Sequence, residues 1–268
     1  MSGTTTIMLS YDFMVRAFLA SGLVAVVAGS VGYFLVLRAQ TFAGHALSHI
    51  AFAGATGAAL IGVSPLYGVV VLTVGAAAAM GLLGERLSGR DVTIGIVLSV
   101  SLGFGILFLA LTTTNAMQTT SLLFGSVLAV SPSMLRSLAI LGVVTLAALA
   151  LISRPLLFAT LQPELAEAKG VAIRVVGTLF LMLVALAVAQ SIQIVGVLLV
   201  FTLMVGPPAA AQLLTNRLGA GVALAAALAL GQAWLGITLA FYTDWPTSFW
   251  IAALSALVYL LAAAARRR

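Results

Sequence analysis

Apolar residues in this chain come in long uninterrupted runs, not in the alternation of a half-buried strand or the single stripe of a surface helix. Leu66–Gly84 and Val92–Leu111, for example, contain no charged residue. A hydrocarbon layer of about 30 Å needs roughly 20 helical residues to cross it. The pattern predicts spans at Phe13–Leu37, Ala43–Ile61, Leu66–Gly84, Val92–Leu111, Met134–Ile152, Val175–Ala189, Ile194–Leu214, Leu218–Phe241 and Ser248–Ala265. Gln118–Ser131 is too short to cross and reads as a half-helix or re-entrant piece packed against protein. The expected fold is therefore all-α, a polytopic transmembrane bundle of eight or nine spans forming one domain over residues 1–268.

Three connections are more than bare turns. Thr112–Thr120 is polar and uncharged, and Tyr242–Thr247 carries Tyr242 and Trp245, which suit an aromatic interface belt. The longest connection is Ser153–Arg174. Within it Gln162–Gly170 predicts a short helix, with Pro163 in its first turn, Glu164 and Glu167 near the positive end, Lys169 near the other, and Gly170 as the stop. A short amphipathic helix between spans is either an ordinary loop helix or a docking surface for another protein.

Composition agrees with the pattern. Hydrophobic residues make up 63% of the chain and charged residues 7%, against about 25% charged in soluble domains. The first residues are neutral and polar, without the basic region of a cleavable signal peptide, so the first span is expected to stay. With no cysteine, disulfides, thiolate metal sites, iron–sulfur clusters and thiol catalysis are excluded. If the spans alternate, Arg38, Arg86, Arg90, Arg154, Lys169, Arg174, Arg217 and Arg266–Arg268 share one side, leaving Arg16 and Arg136 on the other. The positive-inside bias then places the amino terminus outside and the carboxyl terminus in the cytoplasm. The net charge of +6 follows from topology, and nucleic acid is not an expected partner.

The candidate chemistry lies in the second span. His45 and His49 are the two histidines of the chain, four residues apart on a segment rich in Gly, Ala and Ser. One helical turn puts both imidazoles on one face, where neutral ring nitrogens can share a divalent metal. Small residues let helix backbones approach closely, so this span belongs inside the bundle. The histidines follow Arg38 by about 10 and 16 Å along a helix axis, which puts His49 near mid-membrane if Arg38 marks the cytoplasmic surface. Ionisable groups at that depth usually line a pathway; the plainer alternative is that both rings brace the bundle by donating to backbone carbonyls. Two ligands do not complete a site for a metal such as zinc, which usually takes four, and Met182, Met204 and Asp244 are candidate contributors, with Asp244 equally suited to cap a helix. Pro207-Pro208 should break or bend the seventh span, either lining a cavity or as a packing kink. Gln190 and Gln193 are expected at the outer interface. No phosphate-binding loop, His-Glu-x-x-His motif or Ser/His/Asp constellation is present, so the chain is not expected to be an enzyme.

Three stretches resemble the permease subunits of the manganese/zinc/iron family of ABC importers. Leu37-Arg38 through Gly44-His45-Ala46-Leu47-Ser48-His49 to Gly54 is similar to the family's Gly-Asp-Ala-x-Ser-His-x-x-x-Pro-Gly signature. Gln162-Pro163-Glu164 through Ala166, Ala168 and Lys169-Gly170-Val171 resembles its Asp-Pro-Glu-x-Ala-x-Ala-x-Gly segment. Val195–Val200 through Pro208–Leu214 resembles Val-Gly-x-Leu-Leu-Val…Pro-Ala-Ala-x-x-x-Leu-Leu, and Asp244-Trp245-Pro246 resembles an Asp-Leu-Pro element.

The resemblance implies a type II importer-like permease in the cell membrane. It also implies a second permease chain, an extracytoplasmic metal-binding protein that delivers the ion, and cytoplasmic ATPase subunits that dock near residues 160–172, through Pro163, Glu164, Ala168 and Gly170. No resident cofactor is implied; zinc, manganese or iron is the cargo. His49 aligns with the family's ligand histidine, while His45 stands where the family usually has a metal-ligating Asp, Ala53 replaces a Pro and Gln162 an Asp. Imidazole for carboxylate shifts preference from manganese toward zinc, with nickel and cobalt as alternatives. Other readings are an ion-coupled secondary metal carrier, a permease for a metal chelate such as a siderophore, and a structural membrane scaffold, which leaves the paired histidines unexplained.

Overall fold

Helices follow the apolar runs because backbone groups in hydrocarbon must find their hydrogen bonds within their own segment. The computed structural model describes residues 10–83, 90–111 and 129–266, together with Met8 and Gly125. Its helices are α1 (Asp12–Leu37), α2 (Thr41–Leu60), α3 (Pro65–Leu83), α4 (Arg90–Leu111), α5 (Pro132–Leu161), α6 (Pro163–Ala168), α7 (Ile173–Val195), α8 (Val197–Leu214), α9 (Leu218–Thr243) and α10 (Thr247–Arg266). No strand occurs among the described residues. Each of the nine expected spans falls on a helix, except that Ile194–Leu214 begins in the last turn of α7 and is divided from α8 at Gly196, while Gly84, Arg86, Thr112–Thr120 and most of Gln118–Ser131 lie outside the described residues.

Seven of the helices are long and apolar enough to cross a membrane by themselves: α1, α3, α4, α5, α7, α9 and α10. The two expected spans that fall short of that standard, α2 and α8, are held by their neighbours. Helix α2 packs on α3, α4, α7 and α8, and α8 packs on α1, α2, α7, α9 and α10. Helix α1 runs through the middle against α5, α7, α8 and α9, with 78% of its apolar window buried against 11% for α4. The core is thus built from α1, α2, α7 and α8, with α3, α4, α5, α9 and α10 arranged around it.

Small residues set the inner spacing. A Cβ added at Gly54 of α2 would sit 2.5 Å from the Gly68 carbonyl oxygen of α3, so the two backbones touch directly. Long-range polar links pin the rest. Trp234 Nε1 donates to the Phe18 carbonyl at 3.0 Å, joining α9 to α1, and Gln212 Nε2 donates to the Tyr33 carbonyl at 2.9 Å, joining α8 to α1.

Two expectations about backbone continuity are corrected. The connection expected at Ser153–Arg174 is mostly helical, because α5 continues through Arg154 and Pro155 to Leu161, a helix of 30 residues. One proline removes a single backbone bond, and the residues beyond it pack: Leu156 and Ala159 are buried. The second concerns the break expected as one alternative at Pro207-Pro208: α8 runs unbroken through both prolines. The prolines leave the carbonyls of Leu203 and Met204 without their usual i+4 donors. The Met204 carbonyl lies against Gly32 of α1, where a Cβ would collide with it, and the Pro208 ring packs at the same spot.

Gln190 is also misplaced by the sequence reading. It is fully buried on α7 instead of facing the outer interface; the Gln193 side chain lies outside the described set.

Candidate metal pathway

Helix α2 begins immediately after α1, through a turn of the Schellman type. Gln40 N–H donates to the Leu35 carbonyl and Ala39 N–H to the Val36 carbonyl, each at 3.0 Å, with Ala39 in the left-handed region at φ 51°. Gly44 N–H then bonds the Gln40 carbonyl at 3.2 Å, and Ser48 Oγ donates to the Gly44 carbonyl at 3.1 Å. Ser48 is therefore spent on its own helix, leaving the histidines as the polar groups that point away from it.

From Ala43 to Ala58, α2 is buried everywhere except His45, His49 and Gly57. Both imidazoles are half-buried. Their ring centroids are 4.7 Å apart and their planes nearly perpendicular, at 84°. Phe201 of α8 meets the His45 ring edge-on, with centroids 5.0 Å apart. Among the described residues neither imidazole makes a hydrogen bond, so they do not brace the bundle in the way the plainer reading requires. Two neutral imidazoles in that arrangement offer nitrogen lone pairs suited to zinc, copper, iron or nickel.

The pair stands without further acid or histidine, since no group of three His, Cys, Asp or Glu forms among the described residues. Met204 is buried in the α8 core and Met182 packs partly buried against it. Asp244 takes the helix-capping role: it terminates α9 in the left-handed conformation, with its N–H on the Ala240 carbonyl at 3.0 Å. Asp244 also lines a separate pocket of about 620 Å³ with Met14, Phe241 and Trp245 among others. Tyr242 and Trp245 are exposed, as an interface belt requires.

At the other end of the bundle, α6 is the short helix expected at Gln162–Gly170. Gln162 both ends α5 and begins α6. Pro163 opens the helix, Glu164 lies in its first turn, and Gly170 closes it at φ 81°, with Val171 N–H on the Ala166 carbonyl and Gly170 N–H on the Glu167 carbonyl, both at 2.9 Å. Ala166 anchors it and the other residues from Pro163 to Gly170, Glu164 and Ala168 among them, are exposed. Sequence reasoning placed this helix but missed two partners elsewhere: Phe201 beside His45, and Thr160, which bonds Arg38 at 2.7 Å. Neither carries a local signal, since an apolar Phe and a Thr near a proline are ordinary in such segments.

A polytopic helical bundle that keeps a paired-imidazole helix off the lipid and presents a short exposed helix at one end has the build of a membrane permease. The chain belongs to the ABC 3 transport family, whose family model matches residues 10–266. It is 33% identical over 88% of its length, and 82% of the relative, to the manganese transport system membrane protein MntC of Halalkalibacterium halodurans. It is 30% identical over 94% of its length, and 85% of the relative, to the chelated iron transport system membrane protein YfeC of Yersinia pestis. PsaBC from Streptococcus pneumoniae, solved in complex with a Fab, superimposes with a TM-score of 0.86 at 25% identity, covering 95% of this chain and 92% of that one. The protein is thus a multi-pass membrane permease of the ABC transport class.

Proposed function

We propose that this permease imports a divalent transition metal, with zinc favoured over manganese and iron, and that His45 and His49 are its transient ligands. The carrying observation is the half-buried, unbonded imidazole pair, 4.7 Å between ring centroids, on an otherwise buried helix. Names of relatives that transport manganese or chelated iron support a metal cargo. Two nitrogen ligands hold a borderline ion more readily than manganese, which prefers carboxylate and water oxygen. An incomplete ligand set also lets the ion leave, as conduction requires.

In this reading the remaining ligands come from water or a second permease chain. An extracytoplasmic binding protein delivers the metal at the end holding Tyr242 and Trp245, and cytoplasmic ATPases dock on α6 through Pro163, Glu164, Ala168 and Gly170. The amino terminus lies outside and the carboxyl terminus in the cytoplasm, following the distribution of arginines. The test is competitive uptake in cells that carry the whole importer. Zinc should outcompete manganese in the native protein, and His45→Asp should shift the ratio toward manganese. Preference for manganese in the native protein, unmoved by His45→Asp, refutes the assignment.

A further inference from the structure

Arg38 stands at a junction that the metal site and the docking helix leave unexplained. It caps the carboxyl end of α1 and begins the turn into the histidine helix. Its Nη1 donates to Thr160 Oγ1 at 2.7 Å, across 122 residues of sequence. The guanidinium carbon lies 5.8 Å from the centroid of the Phe180 ring on α7, and its Nη2 lies beside Gly177 of the same helix, 3.5 Å from where a Cβ would stand. One side chain thus touches α1, α5 and α7.

Those elements have unequal roles. Thr160 lies on the last turn of α5, two residues before Gln162, which is also the N-cap of α6. Thr160 is fixed in turn by donating to the Leu156 carbonyl, and Leu156 is buried. On the other side, Arg38 is followed by Ala39 at φ 51° and Gln40, the N-cap of α2, and His45 lies seven positions after Arg38. Two backbone bonds hold that turn, and Ala39 sits in the left-handed region that non-glycine residues rarely adopt. Helices α1 and α2 themselves barely touch, so their relative tilt is governed at this turn and by the helices around it.

We propose that Arg38 is a positioning residue that transmits displacement of the α6 docking helix to the histidine helix, through Thr160 on α5 and the 38–40 turn. This rests on the reading of α6 as the ATPase-docking helix. When α6 is pushed or pulled, the end of α5 moves with it, and the Arg38–Thr160 bond carries that motion to the base of α2. The histidine pair then turns relative to Phe201 on α8, which changes its exposure. A planar guanidinium with several donors keeps the bond while stacked on Phe180, as the point charge of lysine would not.

The test uses the complete importer reconstituted in vesicles, with zinc as the transported ion, and reads ATPase co-purification, ATP hydrolysis and metal moved per ATP. Thr160→Val removes the acceptor at nearly constant volume, and Thr160→Ser restores it. The expected result is that Thr160→Val keeps the ATPase bound but moves roughly tenfold less metal per ATP, the scale of losing one hydrogen bond to a charged group. Thr160→Ser should recover it, and Arg38→Lys should resemble Thr160→Val. An unchanged ratio of metal to ATP in Thr160→Val overturns the proposal. So does loss of ATPase from that variant, which would make the bond structural. The docking reading fails separately if Gly170→Val together with Glu164→Arg leaves ATPase binding intact.

Discussion

Helices α2 and α4 pack against each other, yet their compositions and surroundings are opposite. Helix α4 is apolar nearly all round and lies at the edge, with Ile96, Val100, Phe104 and Leu107 exposed. Helix α2 is built of small residues and two histidines, and is buried along almost its whole length. In water the more apolar helix would be the inner one. In hydrocarbon, lipid is as good a neighbour for isoleucine as another helix is, so what selects the interior is close backbone approach and the need to shield polar groups. The contact itself shows the exchange: a Cβ at Gly105 of α4 would lie 2.8 Å from the Phe52 ring of α2.

The sharpest break in this contrast comes from filling the small positions. Gly54→Leu should drive α2 from the Gly68 backbone of α3 and abolish accumulation of folded protein. Gly103→Leu on α4, where a side chain meets open space, should leave expression and detergent-solubilised monodispersity unchanged. Equal damage from the two would mean that α2 is not the tightly held partner.

Next in size is the chemistry that the packing protects. His49→Ala should lower zinc uptake by roughly a hundredfold, since even supporting partners of metal ligands are worth about 10–100-fold. The thermal unfolding midpoint should hardly move, because the ring is half-buried and unbonded. A large drop in midpoint with uptake retained would reassign the residue to packing.

A smaller effect is expected at Phe201. Replacing it with leucine keeps the apolar volume but removes the edge-on contact with His45, worth about 0.5–1.5 kcal/mol for aromatic pairs. Zinc affinity, measured by titration of the purified complex, should change by several-fold or less while the fold persists. The least effect belongs to the outer wall, where Gly103→Ala should stabilise α4 by at most about 1 kcal/mol. Loss of stability there would show that the wall is packed against something in the assembled importer.

Much of the candidate site was legible in the sequence because its signals are local. His45 and His49 share a face by helical spacing, and Pro163 with Gly170 brackets α6 by turn chemistry, as the φ of 81° at Gly170 confirms. Asp244 as a cap was likewise readable. The paired prolines of α8 misled because a proline removes its own hydrogen bond without dictating a break, and a helix packed on all sides runs on through it. The Met204 carbonyl packs against the face of Gly32, 172 residues away in sequence and invisible to any local window. Gln190 misled similarly, since an amide near a span end looks interfacial until three-dimensional packing encloses it.

The sequence by itself determined that the chain is a membrane-spanning helical bundle, where most helices begin and end, and which residues offer metal-binding nitrogen. Those properties depend on run length, spacing and residue type, which are set along the backbone. Only the tertiary structure decided that α8 joins α2 as an interior helix, that Phe201 faces His45, and that Arg38 joins the histidine turn to the end of α5. Such choices depend on contacts between residues far apart in the chain, where close fit between surfaces, and not hydrophobicity, selects the neighbour.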